Sequence, residues 1–281
     1  MPILWLGGEA AGERLMMIRS LARMLREYLI AVSAAASLGL LEPAAAMVGG
    51  AQPAADGAGR SVVMIAGSYG TICTATAVTR TLLLTAAHCV QPGADYKLVD
   101  REPGQQPAFK DVARIERDPQ FDLKRLFAHL ATADVALIRL VDPLPMRIPT
   151  APIGADDETV AAGDILTVAG YGVTVRGADR LDGMVRAAAL VVTGQPGSLQ
   201  IRLFDPATKG ESAGLGACTG DSGAPALRDE NGILTIIGVV SWSTGPNLSG
   251  GCGGLTGITP LVRYRSWIFD TARLLGSTLA P

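Results

Sequence analysis

Ser222 sits in the stretch Thr219-Gly220-Asp221-Ser222-Gly223-Ala224-Pro225. A serine hydroxyl is a poor nucleophile near neutral pH until a base removes its proton. Glycines on both sides let the backbone turn tightly and bring N–H groups toward a developing oxyanion. Alone, a serine beside glycine is more often a turn residue, so the reading depends on finding its base. The chain has 2 histidines. His88 closes the apolar run Leu84-Thr85-Ala86-Ala87-His88-Cys89, whereas His129 has no flanking motif and reads as a loop or surface residue. A third group must hold the base in one tautomer and stabilise its cation. Asp134 opens Asp134-Val135-Ala136-Leu137-Ile138-Arg139-Leu140, a buried-strand pattern. Asp122 is close enough in sequence to compete, but the apolar run after Asp134 favours Asp134. Together these groups suit acyl transfer, in the chain order His88, Asp134, Ser222.

That order is the one found in chymotrypsin-type triads and differs from subtilisins and α/β-hydrolases. The chain resembles the trypsin/chymotrypsin-like serine peptidases, in particular secreted members of bacterial type. The resemblance rests on Met47-Val48-Gly49-Gly50, Thr85-Ala86-Ala87-His88-Cys89, Asp134-Val135-Ala136-Leu137, Gly170-Tyr171-Gly172, Gly220-Asp221-Ser222-Gly223 and Ser241-Trp242-Ser243. These segments occur in the family's order and span about 47 to 275.

The resemblance implies an all-β fold: two six-stranded antiparallel β-barrels over 47–150 and 151–262, with a C-terminal helix and tail over 263–281. It places the site between the barrels, with His88 and Asp134 from the first and Ser222 from the second. The Gly220 and Ser222 N–H groups become the oxyanion hole. Of the three pairings that four cysteines allow, it selects Cys73–Cys89 and Cys218–Cys252. A new α-amino group at Met47 is expected to pair with Asp221, because an unpaired buried carboxylate is costly. Ser241, Trp242 and Ser243 match the strand that binds substrate backbone, and Ser241 can also donate to Asp134. The primary pocket falls on Gly216 at the bottom, with Ser243 and Gly257 as walls. Gly216 stands where trypsin-specific members carry Asp. A substrate Arg or Lys would lack its counter-ion there, so small or medium apolar residues are the expected preference. Departures from the family pattern are Met47 for the usual Ile, Ser243 for Gly, and Ala224 for a second Gly. Expected partners are protein or peptide substrates met by a monomer, with no metal or cofactor. Two alternatives stay open: an inactive protease-fold binding protein, and an acyl hydrolase acting mainly on esters.

The elements that must position these residues are legible in outline. The chain has 281 residues, 34 Gly, 17 Pro and few aromatics, a composition that suits a turn-rich β protein. Short apolar runs at 61–66, 75–78, 81–84, 135–140, 165–169, 187–192, 234–240 and 257–262 alternate with turn residues, which predicts a sandwich or barrel. Long helices do not alternate with these strands, which disfavours a doubly wound sheet. Residues 120–130 predict a helical turn or surface loop. Trp267, Ile268, Ala272 and Leu275 predict one packing helix over 264–275. Net charge is −2, which gives no basic footprint for nucleic acid or an anionic membrane.

Residues 1–46 read differently. Arg14, Arg19, Arg23 and Arg26 precede an uncharged run from Tyr28 to Leu41, then Glu42-Pro43 and Ala44-Ala45-Ala46. Basic region, short apolar core and small-residue site make a signal peptide. The run is short of the roughly 20 apolar residues a membrane span needs. Met16 or Met17 would make a more ordinary signal start than Met1. The expected location is secreted or periplasmic, with no stable membrane association after cleavage at Ala46. The same cut would expose Met47.

Overall fold

The structure is a computed structural model that describes residues 47–102, 105–128, 130–155, 159–178, 181 and 183–280. The leader over 1–46 and His129 lie outside the described residues.

Strands β2 (Val62–Gly67), β3 (Ile72–Ala77), β4 (Leu82–Thr85), β5 (Tyr96–Asp100), β6 (Ala108–Arg117) and β7 (Ala136–Leu140) close an antiparallel barrel in the order β2-β3-β4-β7-β6-β5. A second antiparallel barrel joins β8 (Ile165–Gly170), β9 (Arg186–Thr193), β10 (Ile201–Phe204), β13 (Leu255–Pro260), β12 (Ile233–Ser243) and β11 (Pro225–Glu230). It closes because β8 pairs with both β9 and β11. Closure leaves neither barrel with a free strand edge. The fold is thus two six-stranded barrels, as the resemblance implies.

The strands form for ordinary reasons. β4 and β7 are buried almost throughout and read as continuous apolar runs. β9 instead alternates, with Leu190 and Val192 inside and Ala189 outside, the period-2 pattern of a one-sided strand. Each barrel fills its own interior: Ile65, Leu83, Leu98 and Ile138 in the first, and Leu166, Leu190, Leu203 and Ile258 in the second.

A third core fuses the barrels. Leu84, Val135 and Leu137 meet Leu227, Ile236 and Val239 there, and Tyr264, Ile268 and Ala272 join from the C-terminal segment. Burying each such aliphatic side chain is worth roughly 1.5–3 kcal/mol. This seam holds one barrel fixed against the other. Helix α2 (Arg265–Leu274) supplies it because Ile268 and Ala272, four residues apart, share one face. Helix α1 (Leu123–Phe127) is a short turn capped by Asp122, whose Oδ1 accepts from the Lys124 and Arg125 N–H groups at 2.8 and 3.2 Å. Among the described residues no helix is long and apolar enough to cross a membrane.

Residues 47–53 depart from the expected grouping with the first barrel. β1 (Gln52–Pro53) pairs with β9, and Val48 bridges Gly216. Met47 is fully buried in the second barrel's core. Its apolar side chain finds a partner surface there.

Candidate active site

His88 lies on a 3-10 turn, Ala87–Cys89, directly after β4. Its Nδ1 is 2.7 Å from Asp134 Oδ2, and its backbone N–H donates to Asp134 Oδ1 at 2.9 Å. The Ser241 hydroxyl donates to Asp134 Oδ2. Three donors satisfy a carboxylate that is wholly buried. They also fix the ring: Nδ1 carries the proton toward Asp134, and Nε2 is left to accept one. Asp122, the rival candidate, has its carboxylate committed to capping α1.

Ser241 reaches Asp134 through a local irregularity. β12 and β13 pair Val240 with Ile258 and Trp242 with Gly257, so Ser241 is the extra residue of a β-bulge. Bulges beside active sites re-aim a side chain. Here a residue of the second barrel is turned onto an aspartate of the first.

The nucleophile turn is held from the other side. Ser222 O accepts from Thr74 N at 2.9 Å, Gly223 N donates to Val240 O at 2.7 Å, and Val240 N donates to Ala224 O at 2.8 Å. A β-carbon on Gly223 would collide with Thr85 Oγ1 and would sit 2.9 Å from Ala86 N. The glycine therefore lets this turn press against the segment leading into His88. Among the described residues, the Gly220 and Ser222 N–H groups donate to nothing, which leaves both for an incoming oxyanion. Ser222 Oγ is not hydrogen-bonded to His88; Nε2 has Cys89 Sγ 3.9 Å away. Such bonds are often long without substrate and tighten on binding. Ala224 packs fully buried in the second core, so its methyl is accommodated.

Thr74 is a residue that sequence reasoning missed. It is buried, its hydroxyl donates to Gly220 O at 2.8 Å, and the same oxygen accepts from Tyr171 N at 3.1 Å. It thereby holds the Gly220–Asp221 peptide plane, which lies between the Gly220 and Ser222 N–H groups. In sequence it is one threonine of a strand, and only its place next to Cys73 hinted at a role.

Asp221 is fully buried beneath this turn. It accepts from Gly172 N through Oδ1 and from Cys218 N through Oδ2, each at 2.8 Å. A β-carbon on Gly170 or Gly172 would collide with its carboxylate oxygens, which explains why Gly170-Tyr171-Gly172 carries both glycines. Burial pushes its pKa up to about 7, against the lowering pull of the two backbone bonds. No cation pairs with it among the described residues. In the intact chain Met47 N is an amide, so the expected partner is still uncharged.

Both disulfides, Cys73–Cys89 and Cys218–Cys252, are formed. Cys73, His88 and Cys89 cluster tightly enough to suggest a metal site, but the two sulfurs are bonded to each other and offer no thiolate.

Gly216 lies where a pocket floor would be. A β-carbon there would be 3.3 Å from Gly253 Cα and 3.4 Å from Thr256 Oγ1. Ser243 Oγ donates to Gly251 O at 3.3 Å on the neighbouring wall. The assignment of Gly257 needs correcting. Its α-carbon is covered by the Trp242 indole, so it faces away from Gly216. Thr256, one residue earlier, is the residue that faces Gly216, and its hydroxyl accepts from Ala217 N at 3.0 Å. A one-residue error along a strand moves a side chain to the opposite face. A separate concavity of about 750 Å³ between β6 and α2, lined by Arg117, Asp118 and Trp267, includes none of these residues.

Similarity to known proteins agrees with this geometry. Snake venom serine protease rhinocerase 4 of Bitis rhinoceros is 24% identical over 215 residues, covering 74% of this chain and 81% of its own. Human heparin binding protein shares the fold with a TM-score of 0.63 at 23% identity, covering 83% of this chain and 99% of its own. A second solved structure, described as HBP at atomic resolution, gives 0.63 at 21% identity over the same shares. These structural likenesses speak for the fold alone. The description "Trypsin" fits the sequence itself across residues 48–268, most of the chain, and the protein belongs to the trypsin family.

Proposed function

We propose that this chain is a secreted serine endopeptidase. The observation that carries the proposal is the hydrogen-bond chain from Ser241 through Asp134 to His88, beside a serine turn with two unpartnered N–H groups. Ser222 Oγ attacks the scissile carbonyl carbon, and its proton moves to His88 Nε2. Gly220 and Ser222 N–H groups hold the oxyanion. The tetrahedral intermediate collapses, the C–N bond breaks, and His88 returns the proton to the leaving amine. Water then enters by the same route and frees the acid from Ser222. Asp134 orients His88 and supports the imidazolium. Without a carboxylate at Gly216, cleavage after Arg or Lys is not the expected specificity. The protein acts as a monomer, and its assignment to the bacterial type belongs to the same proposal.

Activation is part of this reading. Cleavage after Ala46 by signal peptidase frees the Met47 α-amino group, which ion-pairs with Asp221 and settles the oxyanion hole. Export and activation are then one event. N-terminal sequencing of the secreted protein checks this; a start upstream of Met47 would sink it.

The test of the activity is labelling by a fluorophosphonate, read by intact mass beside Ser222→Ala. One adduct on a chain beginning at Met47, absent from the variant, is the expected result. A second reading draws on the likeness to a heparin binding protein and on the missing Ser222–His88 bond: a protease-fold binder without activity. That reading predicts no adduct on a correctly cut chain.

A further inference from the structure

We infer that the pocket beside Ser222 selects an acidic residue, glutamate by reach, and that Arg176 is the cation that selects it. The inference rests on the peptidase reading above.

Gly216 contributes no side chain to the floor, so the floor's chemistry comes from what surrounds it. Thr256 is wholly buried beside it. Its oxygen accepts from Ala217 N, which leaves its hydroxyl proton to donate. Beside Gly216, on the side a side chain would occupy, lies Gly253, whose α-carbon would be 3.3 Å from a β-carbon on Gly216. Gly253 is itself buried and has φ +80°, and a β-carbon on it would collide with Arg176 Nη2. The Arg176 guanidinium therefore lies against Gly253, which adjoins Gly216.

Arg176 makes no hydrogen bond or ion pair among the described residues. The two buried carboxylates bordering this segment face elsewhere. Asp205 accepts from the Ala207 and Leu215 N–H groups at 3.0 Å each, and Asp221 from Gly172 and Cys218. An uncompensated guanidinium near a glycine floor, with a hydroxyl donor beside it, favours a carboxylate and repels a lysine or arginine. The apolar preference expected from the sequence changes for this reason: Arg176 is remote from Ser222 in the chain, and the fold brings it beside the pocket.

The test uses the mature protein and fluorogenic peptides that differ only at the cleavage residue: Glu, Gln, Leu or Lys. Glu should exceed Gln by about threefold in kcat/KM, the size expected for an exposed charge acting across one backbone layer. Arg176→Gln should bring Glu and Gln to near parity. Arg176→Glu should turn the preference toward Lys. Arg176 is exposed, so neither variant threatens folding. Fluorophosphonate labelling runs alongside. A labelled enzyme that cleaves Gln as well as Glu, or whose Glu preference survives Arg176→Gln, overturns the inference and leaves the peptidase reading standing. A chain starting at Met47 that neither labels nor cleaves any peptide overturns both.

Discussion

Asp134 and Asp221 are both fully buried, yet they are held in opposite ways. Asp134, from the first barrel, has two side-chain donors, one an imidazole able to become a cation. Asp221, in the second, has two backbone N–H donors and no cation among the described residues, and its pKa is pushed up to about 7. The Ser241–Asp134–His88 hydrogen-bond chain is fully formed in the intact chain. The nucleophile half is assembled but electrostatically unfinished. Readiness in such a site can be controlled at one carboxylate without disturbing the other.

The largest break in this contrast is Asp134→Asn. An amide there can hold His88 in the wrong tautomer, and kcat should fall about 10⁴-fold with the fold intact. Circular dichroism beside steady-state kinetics separates the two effects. Asp221→Asn should act differently in the two forms of the protein. In the cut enzyme it removes the acceptor for the new ammonium, and kcat should drop roughly 10²–10³-fold through a loosened oxyanion hole.

In the uncut chain the same carboxylate should make stability depend on pH. The Asp221 pKa rises from 3.8 to about 7 on folding, so between those values the folded chain holds a proton that the unfolded chain has lost. Stability of a chain with a short extension ahead of Met47 should therefore decline as pH rises from about 4 to about 7, by up to a few kcal/mol. Urea titrations across that range measure it. Asp221→Asn should flatten the slope, and cleavage at Met47 should remove it.

Thr74→Val should cost about tenfold in kcat with little change in KM, because it frees the Gly220 peptide without touching the pocket. Thr74→Ser should restore most of the loss. Ser241→Ala should be milder, a few-fold in kcat, since His88 still donates to Asp134 by two groups. An effect as large as that of Asp134→Asn would show the bulge to be more than a support.

Much of this was legible in sequence because it is carried by short, chemically distinctive segments. The Ser222 turn, the His88 turn and the strand after Asp134 announce themselves by glycine, cysteine and apolar context. Strands β5, β6, β10 and β11 did not. β6 reads Ala-Phe-Lys-Asp-Val-Ala-Arg-Ile-Glu-Arg and is largely solvent-facing, so no apolar run marks it. β10 has only 4 residues. Thr256 was hidden by a register that only pairing with Trp242 and Ser243 fixes. Thr74 and Arg176 act on residues far along the chain, and spacing does not encode that.

The Cys73–Cys89 disulfide adjoins Thr74 at one end and His88 at the other. One covalent link thus joins the neighbour of Thr74, which bonds the Gly220 carbonyl, to the neighbour of His88, the proposed base. A copy that stayed in a reducing cytosol would lack that tie, and would also keep its amide at Met47. If the protein is the exported peptidase proposed above, misrouting would leave two independent interlocks open, and a cell making it would be guarded by the chemistry of the compartment as well as by the integrity of the chain.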